Sequence, residues 1–178
     1  MVEKTVTVDE LYDRISEFSA GDKVLLSGTV YTARDAAHLR LCNMIANDEA
    51  LPFELCGAVI YFAGPTPTKK DGTIGSFGPT TSVRMDKFSP ILLDNGLLGM
   101  IGKGDRADGV TQSIVRNKSI YFCAGGGLGA LISKSITDVE EIAFPELGCE
   151  SIKRLSVVDM PLIVAIDSYG NSIFNRNN

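Results

Sequence analysis

With 178 residues, 44% of them apolar and 22% charged, the chain has an ordinary globular composition and can bury a core without disulfides or metals. Lys and Arg number 17 against 22 Asp and Glu, so the net charge of −5 gives no electrostatic footprint for nucleic acid. The apolar runs at 60–63 and 162–166 fall far short of the roughly 20 residues a membrane span needs. The opening MVEKTVTVDE has no basic, then apolar, leader, so a cytoplasmic protein is expected. Cys42, Cys56, Cys123 and Cys149 are widely spaced with no CxxC pair. They are expected to be reduced, mostly buried thiols that hold no metal.

Val2, Thr5 and Val6 among charges predict a short edge strand. Thr7 and Glu10 then have capping-box spacing for a helix over Val8–Phe18. Lys23–Tyr31 predicts a strand. Thr32 is a candidate cap for the next helix, which should run to about Asn47. Leu51–Leu55 reads as a loop, and Ala58–Ala63 as a buried strand. The stretch with Pro65, Pro67, Gly72, Gly75, Gly78 and Pro79 reads as a long loop, either functional or disordered. A helix is predicted from about Thr80 to Asn95, stopped by Gly96, followed by a strand over Leu98–Ile101. A helix over Val110–Asn117, a strand over Ser119–Cys123 and a short helix ending near Lys134 follow. Thr137–Phe144, Ile152–Val158, Leu162–Asp167 and Ser172–Phe174 read as strands, and 175–178 as a frayed end. The fold class is therefore α/β, one domain over residues 1–178 with hairpins at its end.

Four constellations are candidates for chemistry. Arg34 lies at a helix start, where the dipole disfavours a cation unless an anion is to be held. Asp35 adjoins it, and His38 is one turn on along the same face. The rival reading is a surface ion pair and a half-buried histidine. The second is Gly78-Pro79-Thr80-Thr81-Ser82-Val83-Arg84. Small residues lead into a helix start whose N–H groups, with the Thr80 and Thr81 hydroxyls and Arg84, would bind an anion. Its rival is ordinary capping. The third is Lys103 between Gly102 and Gly104, which is not a Walker loop because Gly104 stands where Ser or Thr is required. The fourth is Gly125-x-Gly127-x-x-Ala130, a weak match to a dinucleotide fingerprint. Glu146 and Glu150 are poor candidates for its acidic residue, and close packing is the better reading. With one histidine and no paired carboxylates, this looks like part of an active site: cations and hydroxyls suited to a small dicarboxylate.

The segments SGTVYTARDAAH (Ser27–His38), GPTTSVRMD (Gly78–Asp86), IGKG (Ile101–Gly104), FPELGCESI (Phe144–Ile152) and IVAIDSYGNSIF (Ile163–Phe174) resemble the β subunit of class I fumarate hydratase. They are similar also to the β subunit of L(+)-tartrate dehydratase, within one iron–sulfur hydro-lyase family. The resemblance covers about 21–174. It implies a swivelling β/β/α domain akin to the mobile domain of aconitases. It implies an α partner carrying a [4Fe-4S] cluster, with no cluster bound by this chain. It implies that Arg34 contacts a substrate carboxylate, that Thr80 is the base, and that Arg84 and Lys103 are further substrate contacts. Thr81 is a further substrate contact and the alternative to Thr80 as the base, and Asp35 and His38 are candidate supports. The activity implied is reversible hydration of fumarate to (S)-malate, active only with the α partner, with tartrate dehydration to oxaloacetate as the alternative. Without its partner the chain could self-associate as a homodimer. A stand-alone anion- or nucleotide-binding module built on the glycine run is the rival from another class.

Overall fold

A computed structural model describes residues 3–66, 70–71, 75–125 and 129–175. Strand β1 (Glu3–Thr7) leads into α1 (Val8–Arg14) through the expected capping box. The Thr7 hydroxyl accepts from Glu10 N at 3.3 Å, and the Glu10 carboxylate accepts from Thr7 N at 3.1 Å. A 3-10 turn (Ile15–Glu17) carries the helix on toward Phe18. Then come β2 (Lys23–Thr32), α2 (Asp35–Ala46), β3 (Val59–Tyr61), β4 (Ala63–Pro65) and β5 (Phe77–Pro79). They are followed by α3 (Ser89–Asp94), β6 (Gly99–Gly102), α4 (Asp108–Asn117), β7 (Ile120–Cys123), α5 (Gly129–Ser135), β8 (Ile136–Ala143) and β9 (Ile152–Ile166).

The main sheet has the order β1-β2-β3-β6-β7-β9-β8, and β9 also pairs with β2. β1, β2, β3, β6 and β7 run parallel, and β9 runs antiparallel to both β7 and β2. The pairings β2-β3-β6-β7-β9-β2 therefore close a ring, and the mixed α/β fold has a barrel-like core. Alternation along each strand sorts side chains to its two sides. Val59, Tyr61, Ile101, Ile120 and Phe122 fall in the cluster with Val24, Leu26, Leu155 and Val164. Ile60, Met100 and Tyr121 fall in the other, with Leu41 of α2, Leu92 of α3 and Ile114 of α4. Burial on both faces is why these short parallel strands read as unbroken apolar runs.

Several elements differ from the sequence expectation. The helix expected from Thr80 to Asn95 is a 3-10 turn (Ser82–Met85), a short turn and then α3, with Pro90 in its first turn. Proline lacks the N–H that a helix running on from Thr80 would need at residue 90, but it is tolerated in a first turn, where that N–H has no helical partner, so the helix starts just before Pro90. Ile152–Val158 and Leu162–Asp167 are not two strands but one of 15 residues. It stays continuous because Asp159, at φ 51°, forms a bulge where Leu26 pairs with Met160 and Gly28 with Val157. Ser27 Oγ holds that bulge by accepting from Asp159 N at 2.9 Å. Thr32 caps no helix: it ends β2, and its hydroxyl accepts from Lys153 N at 3.1 Å. Ala58–Ala63 breaks at Phe62 into β3 and β4, and Ser172 forms an isolated bridge to Ile166 rather than a strand. Cys56 and Cys149 are exposed, against the expectation of burial. Gly127, Val2 and residues 176–178 lie outside the described residues. The helix after the glycine run feeds β8, which pairs antiparallel with β9, so β7, α5 and β8 do not form the parallel crossover a dinucleotide fold requires.

Candidate functional site

Ligands of parallel α/β sheets, open or closed, bind outside the carboxyl ends of the strands. Here those ends carry the cations. β2 ends at Thr32 and Arg34 becomes the N-cap of α2; β6 ends at Gly102 and Lys103 follows. Chain leaving β3 is drawn to the same end, since Ala33 N donates to Tyr61 O at 3.1 Å. The β4–β5 pair then returns it, and Thr80 N donates to Phe62 O at 2.7 Å. Thr81 forms a parallel bridge with Lys103, and Ser82 N donates to Lys103 O at 3.1 Å. Thr80, Thr81, Arg84 and Lys103 are thus brought together at one end of the sheet. The expected helix N-terminus at Thr80 is absent, and the Thr80 N–H serves the loop.

Arg34 is half-buried. Its Nε lies 3.7 Å from Glu150 Oε1 and makes no hydrogen bond. Gly64 lies beneath the side chain: a Cβ there would stand 2.7 Å from the Cys149 carbonyl oxygen and 3.3 Å from Arg34 Cδ. Asp35, in the first turn of α2, takes Arg84 NH2 on Oδ2 at 2.6 Å, while its Oδ1 is buried without a partner. Arg84 is 52% exposed and Lys103 is exposed; the Lys103 ammonium pairs with no described carboxylate. Partly exposed ion pairs of this kind are worth at most about 1 kcal/mol, so a ligand carboxylate can displace them. A freed guanidinium can then grip it through two parallel hydrogen bonds.

His38 is fully buried, with Nδ1 2.9 Å from the Arg34 carbonyl oxygen. A carbonyl accepts only, so Nδ1 carries the proton and Nε2 is a lone pair, which has no partner. Burial pushes its pKa down to about 4, helped by the Arg106 charge and opposed by the Arg34 carbonyl and Asp35. It is therefore a neutral ring behind Arg34, packed edge-on to Phe62 at 5.2 Å. Glu146 and Glu150 pair with Arg40 and Arg34, so neither is a ribose-binding acid. The sequence reading missed three things here. Glu150 faces Arg34, Gly64 leaves room under it, and a buried arginine, Arg106, underlies the site. Gly64 stands among turn residues and Arg106 in a polar loop, so neither carried a distinguishing signal.

Residues 2–177 match the family model described as "Fumarase C-terminus". The "Putative L(+)-tartrate dehydratase subunit beta" of Methanocaldococcus jannaschii is 39% identical over 92% of this chain and 87% of its own length. "Fumarate hydratase 2" of Leishmania major is 35% identical over 95% of this chain and 30% of its own length. "Fumarate hydratase class I, aerobic" of Escherichia coli K12 is 33% identical over 94% and 31%. The chain thus spans about a third of the fumarate hydratases it matches. With its rim of cations and nearly its whole described length matched in this way, the chain belongs to the fumarase C-terminal family, which class I fumarate hydratases share with L(+)-tartrate dehydratase β subunits.

Proposed function

We propose that this chain is the β part of a hydro-lyase that reversibly adds water to fumarate, giving (S)-malate, together with an α partner carrying a [4Fe-4S] cluster. The observation that carries the reading is the rim itself. Arg34, Arg84 and Lys103 converge at the carboxyl ends of parallel strands, with Arg34 Nε and Asp35 Oδ1 buried and unsatisfied. Two buried polar atoms without partners are costly unless a ligand or a second chain completes them. A four-carbon dicarboxylate presents two anionic ends to such a set.

Arg34 and Arg84 each grip a carboxylate, Lys103 adds a third positive contact, and Asp35 and the His38 ring steady the two arginines. As its alkoxide, the Thr80 side-chain oxygen takes the proton from the substrate carbon in dehydration and becomes the hydroxyl, which gives that proton back in hydration. An ordinary threonine hydroxyl is far too weakly acidic to lose its proton near neutral pH, so neighbouring positive charge is needed to stabilise the alkoxide. The bridge from Thr81 to Lys103 brings a lysine next to the threonines for that purpose. The [4Fe-4S] cluster is assigned to the partner by the family resemblance. Bound there, it would supply a Lewis-acidic iron for the departing hydroxyl. Leu39 and Val83, 50% and 56% exposed beside Asp35 and Arg84, are apolar surface for that partner to cover. In the closing motion this chain acts as a swivelling domain of the aconitase mobile-domain type. Alone, it covers the same surface by self-association.

L(+)-tartrate, dehydrated to oxaloacetate, is the second reading, favoured by the match to a β subunit of similar length. The test is anaerobic reconstitution with an iron-loaded α partner, assayed on fumarate, malate and both tartrates. Turnover of fumarate that needs both chains is expected. Turnover of tartrate alone keeps the site and changes the substrate, and no turnover on any of them removes the reading.

A further inference from the structure

Beneath the rim lies a cluster that contacts no proposed substrate group. Arg106 is buried, with its side chain fully enclosed. Its guanidinium lies 5.2 Å from the centre of the Phe62 ring and 4.9 Å from that of Tyr121. Its Nε donates to Asp86 Oδ1 at 2.6 Å and its NH2 to Ser89 Oγ at 2.5 Å. The second Asp86 oxygen accepts from Ala107 N at 2.8 Å, the N-cap position of α4. Asp86 follows the 3-10 turn that presents Arg84, and Arg106 ends the loop that begins with Lys103.

A second tie runs through hydroxyls. Tyr121 Oη is 2.8 Å from both Gly104 O and Ser82 Oγ, and Ser82 Oγ accepts from Lys103 N at 3.0 Å. A phenol has one proton and the Gly104 carbonyl can only accept, so Tyr121 donates to Gly104 and the Ser82 hydroxyl donates to Tyr121. The chain of bonds thus closes around the Lys103–Gly104 peptide from both sides. Gly102 permits it: a Cβ there would strike the Ser82 hydroxyl and stand 2.8 Å from Phe62 Cδ2.

We propose that Arg106 and Tyr121 are positioning residues for Lys103. Arg106 anchors the Lys103 loop to the Arg84 turn through Asp86, and Tyr121 fixes the peptide that carries Lys103. The inference rests on the site reading above. A charged pair is costly to bury and gains nothing over an apolar core in stability alone, whereas a rigid fork between two loops sets their separation. Charged groups that grip a substrate act fully only in one geometry, and a displacement of about 1 Å costs on the order of 100-fold.

The test compares Arg106→Lys and Tyr121→Phe, each in the wild-type and in the Lys103→Ala background of the reconstituted enzyme, with unfolding followed alongside. Each is expected to lower kcat/KM roughly 10- to 100-fold at temperatures where the variant is folded. In the Lys103→Ala background each should add less than about twofold, because the group they place is gone. The same loss in both backgrounds overturns the proposal. So does a lowered unfolding midpoint with unchanged kcat/KM. Tyr121→Phe removes one oxygen and keeps the ring against the guanidinium, so it decides alone if Arg106→Lys does not fold. Full turnover by Lys103→Ala would instead sink the site reading, and this inference with it.

Discussion

Arg106 and Asp86 meet at 2.6 Å with the guanidinium wholly buried, and Arg84 and Asp35 meet at 2.6 Å with Arg84 half exposed. The buried pair spends its polar atoms on protein: Ser89, Ala107 and two aromatic rings share them. The exposed pair leaves Asp35 Oδ1 unsatisfied, and Arg34 Nε beside it is unsatisfied too. The two lie on neighbouring loops at the same end of the sheet, so fold position does not explain the contrast. Use does. Groups that finish their hydrogen bonding within the chain hold it in shape, and groups that do not are kept for something else to complete.

That contrast can be broken at either pair. The largest effect is expected at Arg106→Ala, which leaves the Asp86 carboxylate buried without its partner. A loss of about 3–5 kcal/mol in unfolding free energy is expected by chemical denaturation. A loss below 1 kcal/mol would mean that the buried pair does not hold the loops.

The His38 ring comes next. Its folded pKa of about 4 lies below its ordinary value of 6.5, so between those limits the unfolded chain binds a proton that the folded chain does not. Stability is then full above about pH 6.5 and falls by roughly 3 kcal/mol as the pH drops to about 4. Acid titration of His38→Gln, by denaturation at each pH, should lack that part of the fall. Identical acid curves for both proteins would show that His38 is not held neutral.

Gly102→Ala sharpens the comparison at the point where the two loops touch. Its methyl meets Ser82 and Phe62, and overpacking of this kind costs about 1–3 kcal/mol in melting experiments. The smallest stability effect is expected at Arg84→Ala. An exposed pair contributes at most about 1 kcal/mol, so its melting curve should nearly overlay that of the wild type.

Much of this was legible in the sequence. Capping boxes and period-two alternation are local signals, and β1, α1, β2 and α2 fall within a few residues of where such signals place them. Thr80, Thr81, Arg84 and Lys103 do come together, but through a strand pair and a bridge rather than the expected helix end. Pro90 and Pro161 mark the failures. The first cuts a helix whose apolar spacing looked continuous, and the second sits inside a strand that β2 and the Asp159 bulge keep whole. Arg106 was invisible because its burial depends on Phe62, Asp86 and Tyr121, which meet only after folding. Glu150 faces Arg34 across more than a hundred residues of chain, and nothing local announces that pairing.

The decisive measurement is the pair of values, unfolding free energy and kcat/KM, for Arg34→Ala assembled with the iron-loaded α partner. Stability within about 1 kcal/mol of the wild type is expected, because the Arg34–Glu150 contact is loose and partly exposed. Turnover on the four-carbon substrate should fall at least about 100-fold, the scale of losing a charged hydrogen-bonding group to a substrate carboxylate. A variant that keeps wild-type turnover, or one that loses turnover only by unfolding, would contradict the assignment of the cation rim to substrate.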